Sequence, residues 1–132
     1  MRVLQLGVGS VGEVTARPVA CGAEVAGVVV ANIDEGRPRA VAAKLTPGKA
    51  ETLQLDVHDK EALVRALSGV DLVINGLIPE VNLDVMAACL EAGTHYLDMA
   101  AAGPRDVVGT ADVDEELALS DQFRKAGLTG LC

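Results

Sequence analysis

Residues 1–12 read MRVLQLGVGSVG, and this stretch decides the fold. Val3 to Leu6 are apolar apart from Gln5, the composition of a strand buried on both faces of a parallel sheet. The chain then breaks at Gly7-Val8-Gly9-Ser10-Val11-Gly12 and resumes as a helix-like run from Glu13 to Ala20. In a G-x-G-x-x-G turn between strand and helix, Gly7 makes the tight exit and Gly9 lets the backbone approach a pyrophosphate. Gly12 lets the helix pack closely on the strand. Ser10 and Val11 complete the loop, and the phosphates would rest on the free N–H groups of the helix N-terminus, where the dipole favours an anion. Glycine spacing alone says little in a chain with 14 glycines. Here it comes with a strand before, a helix after and a second strand-like run from Glu24 to Asn32, which completes the βαβ unit and predicts dinucleotide binding. The competing reading is a nucleotide-free doubly wound domain whose glycines serve packing only.

Downstream, strands and helices keep alternating. Pro18, about two turns into the first helix, cannot donate a hydrogen bond and predicts a kink or an early end; a helix that is simply short is the other reading. Asp34 is a plausible N-cap for a helix through Leu45, stopped by Pro47-Gly48. Strand three spans Thr52 to Leu55. Asp59 caps the next helix, with Leu63, Val64 and Leu67 on one face and Gly69 past its end. Strand four runs Asp71 to Asn75 and ends in Gly76-Leu77-Ile78-Pro79. Asn82 opens a helix that Gly93 stops, and strand five runs His95 to Leu97. After a loop containing Gly103, Pro104 and Gly109, Asp112 starts a last helix with Asp114, Glu115 and Glu116 in its first turn and Arg124 and Lys125 in its last, matching the dipole. Leu128 to Leu131 begins strand six. This rhythm predicts an α/β Rossmann fold: one doubly wound parallel sheet in three layers (α/β/α), with strand order 3-2-1-4-5-6, formed by a single domain over residues 1–132.

Composition limits what such a domain can do. The formal net charge is −8, and no cluster of Lys or Arg stands ready to neutralise phosphates, so nucleic acid is not an expected partner. Aromatic residues are nearly absent, with one Tyr, one Phe and no Trp. The core must therefore be built from Val, Leu, Ile and Ala, as layered α/β packing allows. Three cysteines, Cys21, Cys89 and Cys132, are odd in number and widely spaced, which reads as free thiols of a reducing compartment, without disulfides or a metal site. With no targeting leader and no apolar run long enough to span a bilayer, the expectation is a cytoplasmic protein that does not engage membranes.

In a doubly wound sheet, ligands bind beyond the carboxyl ends of the strands, where the strand order reverses. That edge carries the glycine loop, Asn32-Ile33, Asp56-Val57, Gly76 to Pro79, and Asp98-Met99. Asn32 stands where an acidic residue ordinarily takes the ribose hydroxyls; without a carboxylate, a 2′-phosphate is not repelled. Arg37 and Arg39 are within reach of such a phosphate, or else lie on a solvated helix face. Asp56 either hydrogen-bonds the adenine amino group, with Val57 packed on the ring, or only ends its strand. Gly76-Leu77-Ile78-Pro79 forms a small stiff wall beside the nicotinamide. His95 and Tyr96 have acid/base chemistry but sit where packed or capped residues are commoner. Asp98, ending strand five, is the one weak catalytic candidate.

The segments LGVGSVG, LQLDVHDKEALVRALSGVDLVINGLIP and VMAACLEAGTHYLDMA together resemble the saccharopine dehydrogenase family of NAD(P)-dependent oxidoreductases, nearly end to end. The resemblance implies a Rossmann domain of an enzyme acting on amino acid or imine carbon–nitrogen bonds, with a small amino acid or imine as substrate and NAD or NADP as cofactor. Family members commonly carry an acidic or basic residue after strand two, where this chain has Asn32-Ile33, so the choice of cofactor stays open. The family's substrate domain would begin just after Cys132, so the chain reads as the cofactor half, unable by itself to turn over an amino acid. An uncovered apolar patch around Leu77, Ile78 and Met99 would favour self-association into a homo-oligomer. A rival from another class is a nucleotide-sensing regulatory module, of the kind that gates potassium transporters.

Overall fold

The computed structural model describes residues 1–100 and 113–132. Gly103, Pro104, Gly109 and Asp112, read above as a loop and a helix start, lie outside them. In chain order the elements are β1 (Arg2–Leu6), α1 (Ser10–Cys21), β2 (Gly27–Asn32), α2 (Gly36–Ala42), β3 (Ala50–Gln54), α3 (Lys60–Leu67) and β4 (Leu72–Asn75). A 3-10 turn at Pro79–Val81 follows, then α4 (Asn82–Ala92), β5 (His95–Asp98), α5 (Asp114–Leu117), α6 (Ser120–Ala126) and β6 (Gly130–Leu131). The strands form one sheet in the order β3-β2-β1-β4-β5-β6, every pair parallel. This is the predicted order.

Alternation along each strand sends side chains to two separate cores. Val3, Val28, Val30 and Ile74 pack with Ala16 and Ala20 of α1 and Val41 of α2. Leu4, Leu6, Val29, Ala31 and Val73 pack on the other face with Leu63 and Leu67 of α3, and with Val85, Met86 and Cys89 of α4. The only tyrosine and the only phenylalanine, Tyr96 and Phe123, both belong to this second core.

Several element boundaries differ from the sequence reading, each for a local reason. Helix α1 runs three residues past Pro18 instead of ending there. Pro18 and Val14 are exposed while Ala16 and Ala20 are fully buried, so the missing donor falls on the solvent side and apolar packing holds the other side. Strand β2 begins at Gly27, not Glu24, because its partner residue is Arg2, the first residue of β1. Helix α2 covers Gly36–Ala42 and has Glu35, not Asp34, at its N-cap. The Asp34 carboxylate still accepts from the Gly36 N–H at 2.6 Å. Asp59 is the N-cap of α3, accepting from the Ala62 N–H at 3.0 Å, and Gly93 ends α4 at φ 77°. The last helix is two helices, α5 and α6, and Glu116 in the first is 2% exposed.

Candidate dinucleotide site

The glycine loop is built on β1. Gly7 takes φ +74° and its N–H donates to the Ala31 carbonyl at 3.0 Å, so the chain turns sharply while staying tied to β2. A methyl group on Gly12 would overlap the Gly7 carbonyl oxygen; one on Gly7 would come within 2.8 Å of the Gly76 carbonyl oxygen. These glycines are therefore structural contacts between β1, α1 and the turn after β4. Gly9 differs: a Cβ there would meet no atom within 4 Å. Its carbonyl accepts from the Glu13 N–H at 3.0 Å, so the N–H groups of Ser10, Val11 and Gly12 precede the first helical donor and are left free at the helix N-terminus. Space at Gly9 beside those three donors is what a pyrophosphate needs.

Gln5, the one polar residue of the β1 core, lies beneath this junction. It is 1% exposed, and its amide nitrogen donates to the carbonyls of Leu6 at 3.2 Å and Gly7 at 3.3 Å. A polar residue in a buried strand is thus a brace for the loop, a role that the sequence pattern alone does not reveal.

Beside the loop is a cleft of about 170 Å3 lined by Gly7, Asn32, Ile33, Asp56, Val57, His58, Leu77, Ile78 and Val81, together with Leu6, Ala31 and Leu55. Seven sequence-predicted residues thus meet in one place. Gly9, Ser10, Val11, Gly12, Gly76 and Pro79 are not in its lining. Leu77 and Ile78, from the turn after β4, line it together with Asn32 from the end of β2 and Asp56 from beyond β3. Asp56 accepts from the His58 N–H at 3.0 Å, which fixes the turn after β3, and its residue remains exposed. His58 was missed because nothing in its spacing marks it. Arg39 pairs with Glu35 at 2.7 Å, four residues back on an exposed face. Arg37 is exposed and makes no ion pair among the described residues.

Asp98, the weak catalytic candidate, lies elsewhere. It is 7% exposed and belongs to a buried polar network on the α4 side of the sheet. The Tyr96 hydroxyl donates to Asp98 Oδ2 at 2.7 Å. Asn82 Nδ2 lies 3.0 Å from that same oxygen, 2.8 Å from Glu116 Oε1 and 2.8 Å from the Ala100 carbonyl. Two hydrogens cannot serve three acceptors fully, and among the described residues Asp98 Oδ1 and Glu116 Oε2 find no well-placed donor. Asp98, Glu116 and Cys132 bring ligand-type atoms within 4.8 Å of one another, a grouping absent from the sequence reading. Burial, reinforced by the Glu116 charge and opposed by the Tyr96 hydrogen bond, holds the Asp98 carboxyl above its ordinary value. Burial and the same two carboxyls push the Cys132 thiol up to about 11. His95 Nδ1 accepts from the Thr129 N–H at 3.0 Å, tying β5 to the segment before β6.

The raised Asp98 value has a sign. Between the ordinary carboxyl value of 3.8 and the raised one, the folded chain binds more protons than the unfolded chain, so this group's contribution falls as pH rises through that window. Asp98→Asn keeps an acceptor for Tyr96 and gives Glu116 a donor. It is expected to stabilise the domain at pH 8 by on the order of 1 kcal/mol, with the gain shrinking in acid. Urea melts of parent and variant at pH 8 and pH 5 measure it; a difference that does not change with pH refutes the assignment.

A parallel sheet in this order, a glycine loop leading to a free helix N-terminus and a cleft at the switch of strand order define a dinucleotide-binding Rossmann domain. Comparison with known proteins gives the family. Residues 3–131 match the family described as the saccharopine dehydrogenase NADP binding domain, and the chain belongs to it. It is 34% identical to a carboxyaminopropylagmatine dehydrogenase of Synechocystis over 98% of this chain and 33% of that protein. It is 30% identical to a carboxynorspermidine synthase of Vibrio cholerae over 99% of this chain and 35% of that protein. Among solved structures, saccharopine dehydrogenase (L-Glu forming) of Saccharomyces cerevisiae superposes with a TM-score of 0.79 at 24% identity, covering 98% of this chain and 26% of that one. The chain thus spans about a third of the curated relatives it matches. It is an NADP-binding domain of the saccharopine dehydrogenase family, and the curated relatives named here are a dehydrogenase and a synthase rather than regulatory modules.

Proposed function

We propose that the domain holds NADP(H) with its pyrophosphate on the N–H groups of Ser10, Val11 and Gly12 and its adenosine half in the cleft between Asn32, Asp56, Val57 and Leu77-Ile78. The observation that carries this is the open space at Gly9, the N-cap of α1, next to the helix N-terminus into which the glycine turn leads. Asn32 is half-buried in the cleft lining and carries no charge, so a 2′-phosphate meets no carboxylate at that position, and Arg37, which makes no ion pair among the described residues, is the cation nearest in sequence to receive it. The bound nicotinamide supplies the hydride chemistry; the chain's own residues bind and orient it. On this geometry Leu77 and Ile78 serve the adenosine half, whereas the sequence reading set them beside the nicotinamide.

The enzyme to which the domain belongs acts, on this reading, on the carbon–nitrogen bond of a small amino acid or imine. The named activities of the Synechocystis and Vibrio relatives support that class. No helix among the described residues is long and apolar enough to cross a membrane. With the three cysteines free, a cytoplasmic setting fits. Self-association through the apolar patch is supported only in part: Ile78 and Met99 are 63% and 46% exposed, but Leu77 packs against the α4-side core.

The test is paired titration of the chain with NADPH and NADH, for the parent and for Asn32→Asp. At an effective dielectric of about 20, two like charges roughly 4 Å apart repel by about 4 kcal/mol. The variant is therefore expected to weaken NADPH at least tenfold relative to NADH. An unchanged ratio would mean that the Asn32 side chain does not face the ribose.

A further inference from the structure

Asn75 ends β4 and is 2% exposed, so it cannot touch a ligand in the cleft. Its side chain nevertheless reaches the cleft wall through the backbone. Asn75 Oδ1 accepts from the Leu77 N–H at 3.2 Å, closing the two-residue turn around Gly76. That turn is pressed on the glycine loop, since the Gly76 N–H donates to the Leu6 carbonyl at 2.8 Å. A methyl group on Gly7 would strike both the Gly76 carbonyl and the Leu77 side chain at 2.8 Å. Leu77 and Ile78 then line the cleft, as Asn32 and Asp56 do.

The other end of the amide is held from behind. Asn75 Nδ2 donates to Asn82 Oδ1 at 2.9 Å and to the Tyr96 hydroxyl at 3.2 Å. Tyr96 in turn donates to Asp98, as Asn82 does. Each link runs from donor to acceptor toward the buried carboxyls, so the Asn75 amide has one orientation, with its oxygen toward Leu77. We infer that Asn75 is a positioning residue for the dinucleotide, setting the Leu77 wall of the adenosine cleft through the Leu77 N–H, with Asn82 and Tyr96 fixing its amide. This rests on the cleft being the adenosine site.

The experiment compares affinity with stability. Binding of NADPH and of 2′,5′-ADP, which has no nicotinamide, is measured for the parent, Asn75→Ala, Asn75→Ser, Tyr96→Phe and Thr94→Ala, alongside thermal melts. Asn75→Ala leaves the Leu77 N–H without its acceptor and is expected to weaken both ligands roughly tenfold. Serine can still accept from the N–H two residues on, so Asn75→Ser should recover most of that loss although it also vacates space. Tyr96→Phe should weaken both ligands in the same sense and by less. Thr94 is the control: it is fully buried and its hydroxyl donates to the Leu67 carbonyl at 2.9 Å, at the opposite edge of the sheet. Thr94→Ala should lower the melting temperature without changing affinity. The inference is overturned if folded Asn75→Ala binds within twofold of the parent, or if serine rescues nothing. If Asn75→Ala does not fold, Tyr96→Phe decides: parental affinity in that variant refutes it. A parent chain that binds neither ligand would instead overturn the reading of the cleft, and the inference with it.

Discussion

Gly9→Val is expected to lower dinucleotide affinity by roughly a hundredfold or more while costing the fold no more than about 1 kcal/mol. The backbone at Gly9 is φ −67°, ψ −166°, an extended conformation that any L residue adopts. Nothing lies within 4 Å of where a Cβ would stand, so the side chain has room and the protein folds around it. That room is what the phosphates need: a branched side chain at the N-cap of α1 stands between a pyrophosphate and the N–H groups of Ser10, Val11 and Gly12. Fluorescence titration with NADPH and a thermal melt on the same sample measure both halves of the expectation. A folded Gly9→Val that binds as tightly as the parent would show that no phosphate comes near this loop.

What made this loop legible in sequence is that its physics is local. Strand, glycine spacing and helix lie within Arg2 to Cys21, and the turn at Gly7 closes on its own neighbours. The strand order was legible for a similar reason: each helix is short and each strand returns after it, which leaves few parallel arrangements. Element ends were less so. The start of β2 is set by where β1 begins, and the end of α1 by buried Ala16 and Ala20, not by Pro18. Both are tertiary facts that outweigh a local signal.

The buried polar network was not legible at all. Asn82 read as a helix start and Glu116 as a first-turn acid matched to the helix dipole, yet these residues 34 positions apart meet through Asn82 Nδ2 and Glu116 Oε1 at 2.8 Å. Asn75 and Gln5 looked like minor interruptions of apolar strands. A buried amide is worth keeping only where its partners are waiting, and those partners are assigned by the sheet order, which brings β4, β5 and α4 together. Polar residues inside strands that otherwise read as core are thus the positions at which to expect such braces, although their partners cannot be named before the topology is known.

Gly12→Ala, three residues from Gly9, is expected to do the opposite and break the fold, lowering stability by about 3 kcal/mol and the melting temperature by roughly 10 °C. Helix propensity alone predicts a gain of about 1 kcal/mol, since alanine replaces glycine inside α1. Packing decides against it. A Cβ on Gly12 would overlap the Gly7 carbonyl oxygen and lie 3.0 Å from the Gly7 carbonyl carbon and 3.4 Å from Gln5 Nε2. The obstructing group is backbone, not a flexible side chain. It cannot retreat, because Gly7 is itself held at positive φ against Gly76 and takes a hydrogen bond from Gln5. Either α1 lifts off the sheet, uncovering Ala16 and Ala20, or the glycine turn moves and the cleft beside it opens. Both outcomes lose dinucleotide affinity together with stability, unlike Gly9→Val, in which affinity falls alone. Denaturant melts of the two variants and the parent separate the cases, and a Gly12→Ala protein as stable as the parent would mean that α1 does not rest on the Gly7 carbonyl.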